Sequence, residues 1–285
     1  FRGGLMLIPM GITNEYHEPT TFNGVERPNI DKYIVPSTWR EIGAGFTGNI
    51  KEAYLKYQVY LVNGFKSASA GSDKPSFTGK NGLRSGRQKG AESFSSSPNL
   101  SAKVDFYGVR GLKIGAAVYS GKSQSDLYNG VSTSNTEAIA SADSSVVGIN
   151  MVGLDARFRR KGLQLKGQVN LVNVSNTDQY NAYYSSDLGS QMVGYLAEVG
   201  FNVLRKQPKY GQLIPFVRYE VYNTHNAVTG EMQVNGAYNR TDLTFGLGWK
   251  ITQGSMLKAD YQIMKNEAAG STQVEQMNFG VAVWF

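Results

Sequence analysis

Residues 277–285 put Met277, Phe279, Val281, Val283 and Phe285 on one side of an extended chain and Asn278, Gly280, Ala282 and Trp284 on the other. Successive side chains of a strand point to opposite faces, so a two-residue period marks a strand with two unlike sides. The alternation recurs along the chain. Leu257, Ala259, Tyr261 and Ile263 alternate with Lys258, Asp260 and Gln262, and Leu243, Phe245, Leu247, Trp249 and Ile251 with Thr244, Gly246, Gly248 and Lys250. Leu163, Leu165, Val169 and Leu171 alternate with Gln164, Lys166, Gln168 and Asn170, and Val217, Tyr219 and Val221 with Arg218, Glu220 and Tyr222. No helical stretch of convincing length interrupts the pattern, so the chain reads as all-β.

A soluble sandwich and a transmembrane barrel both alternate apolar with polar residues. Three features favour the barrel. The repeats are about 10 residues long, the length of a tilted membrane strand. Aromatic residues sit near their ends, as interfacial girdles do: Tyr54, Tyr107, Phe158, Tyr210, Trp249 and Trp284. The connections alternate between short and long. Composition agrees: 33 Gly, no Cys and 18% charged residues, below the roughly 25% of a soluble domain. Mean hydropathy is −0.33, and no apolar run approaches the ~18 residues of a spanning helix. Absent cysteine suits an oxidising periplasm.

Twelve strands are expected, near 2–10, 40–49, 53–63, 99–107, 111–121, 145–158, 162–174, 190–204, 212–224, 240–251, 255–265 and 272–285. Outer-membrane barrels pair short periplasmic turns with long outer loops, which sends the first strand outward and ends the last in the periplasm. The long connections 11–39, 64–98, 122–144, 175–189 and 225–239 are rich in Gly, Ser, Asn and Thr, and the bias of 66–98 is compatible with partial disorder. Residues 1–285 form a single barrel domain with no linker. No secretory signal is visible, and the chain opens at Phe1 inside a strand-like stretch.

The net charge of +7 invites a claim of anion selectivity. Yet the short turns alone hold Lys51, Arg110, Arg159, Arg160, Lys161, Arg205, Lys206 and Lys209 against Glu52, which equals the whole surplus. These charges are expected to be solvated or to meet the anionic inner leaflet. Pore-facing charges must come from the polar strand faces: Lys56, Lys103, Lys113, Arg157, Lys166, Arg218, Lys250 and Lys258 against Glu41, Asp105, Asp155, Glu198, Glu220 and Asp260. Two readings stand, ion pairs that brace the wall and a cationic ladder that guides anions. Loop 64–98 is basic, and either overhangs the mouth or meets lipopolysaccharide phosphates.

No catalytic set is identifiable. His17 and His225 are the two histidines, and neither has a nucleophile in a matching pattern. The spacing of Glu15, His17 and Glu18 is irregular for a metal, so no cofactor or metal is assigned. Basic residues scattered over both ends do not form a nucleic-acid surface.

The run Gly4-Leu5-Met6-Leu7-Ile8-Pro9-Met10-Gly11, then Val25-Glu26-Arg27-Pro28, then Pro36-Ser37-Thr38-Trp39-Arg40-Glu41-Ile42-Gly43 resembles the phosphate-selective porin family in its Bacteroidetes-type branch. Weaker likenesses lie at Leu61-Val62-Asn63-Gly64, at 215–220 and at 257–262. Phe279, Val281, Val283 and Phe285 look like the terminal signal read by the barrel-assembly machinery. The resemblance implies a barrel of about sixteen strands in the bacterial outer membrane of a Gram-negative organism. Four strands, roughly 100 residues, are then expected upstream. It implies that 11–39 is an inward-folded constriction loop with Glu26 and Arg27 against the wall, and makes Lys32 and Arg40 further constriction candidates. Expected partners are outer-membrane lipid and lipopolysaccharide, with a homotrimer or a larger outer-membrane complex as the assembly. Leu7 stands where the family pattern leads one to expect a lysine, and the loop carries Glu15, Glu18, Glu26 and Asp31 against Arg27 and Lys32; both argue against tight phosphate selectivity. The function expected is a water-filled porin for passive diffusion of small hydrophilic solutes or ions, with modest anion preference. The alternative is a plugged structural barrel that docks partners.

Overall fold

The computed structural model describes residues 1–285 except Ala91 and Phe285. The last residue of the closing pattern, Phe285, therefore lies outside the described residues. Twelve strands form one sheet: β1 (Arg2–Leu7), β2 (Arg40–Ile50), β3 (Leu55–Val62), β5 (Asn99–Phe106), β6 (Leu112–Lys122), β8 (Gly148–Arg160), β9 (Leu163–Ser175), β10 (Gln191–Phe201), β11 (Gln212–Ala227), β12 (Asn239–Lys250), β13 (Ser255–Asn266) and β14 (Val274–Val283). Each pairs antiparallel with the next. Two short strands outside the sheet, β4 (Lys66–Ala68) and β7 (Gln124–Ser125), pair in parallel.

The alternation of burial explains the sheet. On β11, Phe216, Arg218 and Glu220 are buried while Val217 and Tyr219 are 45% and 44% exposed. The register continues this outward face across strands: Phe245 pairs with Tyr261 and Trp249 with Leu257. An Arg at the lipid midplane costs about 2–4 kcal/mol, so Arg218 belongs on the inward face. Tyr54, Tyr107, Tyr210, Trp249 and Trp284 are exposed at the short-turn end, and the Trp249 indole N–H donates to the Tyr210 carbonyl at 2.9 Å. The turn after β8 contains Lys161 and Gly162 with φ of 51° and 90°, a two-residue hairpin that matches strand twist.

The long connections differ from expectation. β1 stops at Leu7, because Ile8 turns inward and its N–H donates to the Trp39 carbonyl. Three α-helices occur among the described residues: α1 (Ile30–Tyr33), α2 (Thr136–Ser144) and α3 (Thr177–Tyr184). The described part of 64–98 packs rather than trails away. Phe65, Ala68, Phe77 and Leu83 join Trp39, Tyr119 and Tyr180 in an apolar core on the inner side of the sheet. Another long connection supplies part of its backbone hydrogen bonding, as where the Phe77 N–H donates to the Tyr180 hydroxyl.

Candidate functional site: a basic chamber beneath an inward segment

Segment 11–39 lies against the inward face from β3 round to β13, and a flat sheet could not bring those strands to one segment. Buried backbone N–H groups need partners, and the wall supplies them. The Ile12 N–H donates to Gln168 Oε1 at 2.7 Å, the Ile30 N–H to Glu220 Oε2 at 3.1 Å and the Val25 N–H to Asp260 Oδ2 at 2.5 Å. Asn23 donates to Glu198 at 2.9 Å and Asn29 to Asp242 at 2.6 Å. Lys258 Nζ donates to the carbonyls of Phe22 and Gly24, each at 2.8 Å. Helix α1 fits because β10 has Gly194 beneath it: a Cβ there would meet Ile30 Cγ1 at 2.8 Å.

The wall carboxylates are thus committed to the segment or to buried ion pairs. Lys103, fully buried, sits 2.7 Å from Glu15, 2.8 Å from Asp155 and 3.9 Å from Asp105. Gly115 leaves room for this group, since a Cβ would stand 2.6 Å from Asp155 Oδ2. Burial pushes the Glu15 carboxyl up, but Lys103 outweighs it and holds the group below its ordinary range. Arg218 is buried between Glu220 at 3.1 Å and Glu198 at 3.7 Å.

Below the segment, towards the short turns, lies a chamber of about 550 Å³ whose charged lining is Arg110, Lys113, Arg157, Arg159, Lys166 and Lys250. No carboxylate lines it among the described residues. Acids stand behind three of the cations: Asp105 is 3.0 Å from Lys113, Glu198 is 3.1 Å from Lys166 and Asp155 is 4.0 Å from Arg157. Arg157 Nε and Nη2 have no hydrogen-bond partner among the described residues. Ile12, Phe22 and Leu112 supply apolar lining. A second cavity of about 680 Å³ is lined by Arg2, Met6, Glu15, Lys56, Gln58 and Tyr60. Tyr16 lines both cavities. Its phenol accepts from Lys113 Nζ at 3.4 Å. Burial raises the phenol pKa, and Arg157 with Lys113 reverses this and lowers it overall.

Of the residues expected to line the pore, Lys113, Arg157, Lys166 and Lys250 meet at the chamber, and Lys56 faces the second cavity. Lys103 and Arg218 are sealed in ion pairs; Glu220, Lys258 and Asp260 anchor the segment. Four placements correct the sequence reading. Glu26 is exposed, and Arg27 donates to the His17 carbonyl at 3.0 Å within its own segment; neither is the wall anchor. Lys32 is exposed, with its ammonium 5.1 Å from the Tyr33 ring centre. Arg40 shares the outward face of β2 with Ile42 and Phe46, because Glu41 takes the inward parity. Leu7 pairs with Arg40 and shares that face, so its lack of charge says nothing about the lumen. The turn residues Arg110 and Arg159, read as solvated or lipid-facing, are exposed and also border the chamber. Asn23 and Asn29 carry no local signal; only the long-range fold shows their partners. Asp242 was legible by parity, one residue before the outward Leu243.

No family model matches the chain. An uncharacterized protein of Aquifex aeolicus (strain VF5) is 29% identical over 260 residues, covering 91% of this chain and 57% of that protein. The chain thus spans little more than half the length of that relative. Among solved structures, the outer membrane channel DcaP of Acinetobacter baumannii aligns over 98% of this chain and 69% of its own, with a TM-score of 0.54 and 11% identity. The chain has the membrane β-barrel fold of that channel.

Proposed function

We propose that the chain forms the wall and constriction of an outer-membrane porin that passes small hydrophilic solutes by passive diffusion and prefers anions. The chamber carries this reading, because six cations surround it and no carboxylate lines it among the described residues. Between low-dielectric walls such charges raise the local anion concentration. Segment 11–39 narrows the lumen, and its Tyr16 lines both cavities. The resemblance of 4–43 to phosphate-selective porins supports the porin reading; the lining supports a general anion filter. Reversal potentials in planar bilayers under a salt gradient test it: the full chain is expected to favour chloride over potassium. Cation preference would overturn the anion filter.

A second reading, a plugged barrel with a structural role, is favoured by the apolar core around Trp39, Phe65 and Tyr180 on the inner side. Membrane-inserted protein that conducts no ions would select it.

A further inference from the structure

His225, one of the two histidines of the chain, is buried at the long-loop end of β11, away from the chamber. Both of its ring nitrogens are engaged by other connections. The Asn235 N–H donates to Nδ1 at 3.0 Å, which leaves the ring proton on Nε2, and Nε2 donates to the Asp187 carbonyl at 2.8 Å. The ring lies edge-on to Tyr238 with centres 5.3 Å apart, and Gly189 packs against it, since a Cβ there would meet Cδ2 at 3.1 Å. Asp187 and Tyr238 are the titratable groups that face it. The Asp187 carboxylate is committed elsewhere: Oδ1 accepts from the Gly79 N–H at 2.8 Å and Oδ2 from the Tyr238 hydroxyl at 2.6 Å. Arg240 reaches Tyr238 in turn, its guanidinium carbon 5.5 Å from that ring's centre, and donates to the Lys80 carbonyl at 3.1 Å.

This network fastens a strap over the inward segment. The Gly79 carbonyl accepts from the Thr224 hydroxyl of β11. Arg84 Nη1 donates to the Lys32 carbonyl at 3.5 Å, and a Cβ on Gly82 would meet the Tyr33 carbonyl at 2.6 Å. Residues 79–84 thus lie on α1, tied through Asp187 and Tyr238 to His225 and to the connection 228–238.

Imidazole is the side chain that changes charge between pH 5 and 8. The neutral ring offers one donor and one acceptor, and here both are used; the protonated ring is a donor at both nitrogens. A proton on Nδ1 would point at the Asn235 N–H. A hydrogen bond then becomes donor against donor beside a buried ring, where unmade hydrogen bonds are costly. Asn235 is exposed and free to swing away, whereas the Asp187 carbonyl still accepts from Nε2.

We propose that His225 is an acid-operated latch at the long-loop end of the barrel. A proton taken from solvent onto Nδ1 releases 228–238 and loosens the strap 79–84 over α1, so acid opens this entrance. The latch is a property of the connections and does not rest on the channel reading.

The chain has no cysteine, so a nitroxide on Glu231→Cys, an exposed position of 228–238, reports the loop of the full chain in detergent. Its mobile spectral fraction is expected to rise roughly tenfold from pH 8 to pH 5. The two histidines are resolved in ¹⁵N-histidine spectra, with His17→Gln assigning the signals. At pH 8 the His225 ring should carry its proton on Nε2, and the rise in mobility should follow the His225 titration point for point. Asp31 titrates in the same range, so His225→Asn separates the two: it keeps an acceptor near the Nδ1 position, takes up no proton, and should hold the loop at both pH values. Heat-modifiable mobility on gels checks that this variant is folded; should it not fold, the nitrogen titration of the wild type decides. A mobile fraction that ignores pH, that rises equally in folded His225→Asn, or that departs from the His225 titration would each overturn the proposal. Ion conductance is not the readout, so failure here leaves the channel reading untouched and the reverse also holds.

Discussion

The guanidinium carbon of Arg157 lies 4.2 Å from the centre of the Tyr16 ring. A wall cation that faces the chamber thus also holds the inward segment. Cation–π contacts contribute about 0.5–2 kcal/mol, more when desolvated. Replacing Tyr16 with Ala should free Arg157 and Lys113 and widen the passage between the cavities. Single-channel conductance is expected to rise; Tyr16→Phe, which keeps the ring, should stay near wild type.

Lys103 separates charge from transport. It touches three carboxylates and no chamber, so Lys103→Met should leave Glu15, Asp105 and Asp155 without their common partner. Breaking a buried pair costs about 3–5 kcal/mol. A lower urea midpoint for loss of the folded band is expected. Lys250→Gln, at the chamber rim, should lower the chloride-to-potassium permeability ratio with little effect on that midpoint.

Asp31 gives a pH dependence of defined sign. It is fully buried, and Gln168 Nε2 donates to its Oδ1 at 2.9 Å. Burial, partly offset by that hydrogen bond, raises its pKa from 3.8 to about 6. The neutral acid is favoured in the folded state, so its stabilising contribution is complete below pH 3.8 and is lost as pH rises through about 6. On the order of 1–3 kcal/mol is at stake. Melting curves of wild type and Asp31→Asn at pH 4 and pH 8 should show the variant gaining relative stability at the higher pH. An unchanged difference between the two proteins would remove Asp31 from the account.

Deleting residues 13–32 should do two things together. Conductance should rise because the segment leaves the lumen. Selectivity should move towards cations, because Glu198, Glu220, Asp242 and Asp260 lose the donors that engage them. Bilayer recordings report both, and a deletion that changes neither would place the conducting path elsewhere.

The wall was legible because one physical contrast, lipid against interior, is repeated at every second residue; Val217 and Arg218 state it in one step. Strand ends were less so. Arg40 sits beside the loop boundary, where a shift of one residue reverses the face. Helix α3 did carry a helical period, with Thr177, Tyr180, Asn181 and Tyr184 buried, but tyrosines and polar residues mark it more weakly than aliphatic ones. The site was hardest to read, since the count of wall acids and bases is nearly even. What leaves the chamber basic is that the acids are buried in ion pairs or bond to a segment far away in sequence, and local pattern contains no trace of the second.

The separation of those partners also bears on how the molecule comes together. The Ile30 N–H finds its acceptor 190 residues later and the Val25 N–H 235 residues later. A growing chain that has not reached β11 has nothing to receive either group, and pairing across such distances is slow. The inward segment is therefore a hub that waits for its rim. Early strands can associate side by side, but the hub docks only when the final third of the polypeptide arrives, so truncation near the C-terminus should disorder residues that lie close to the opposite end.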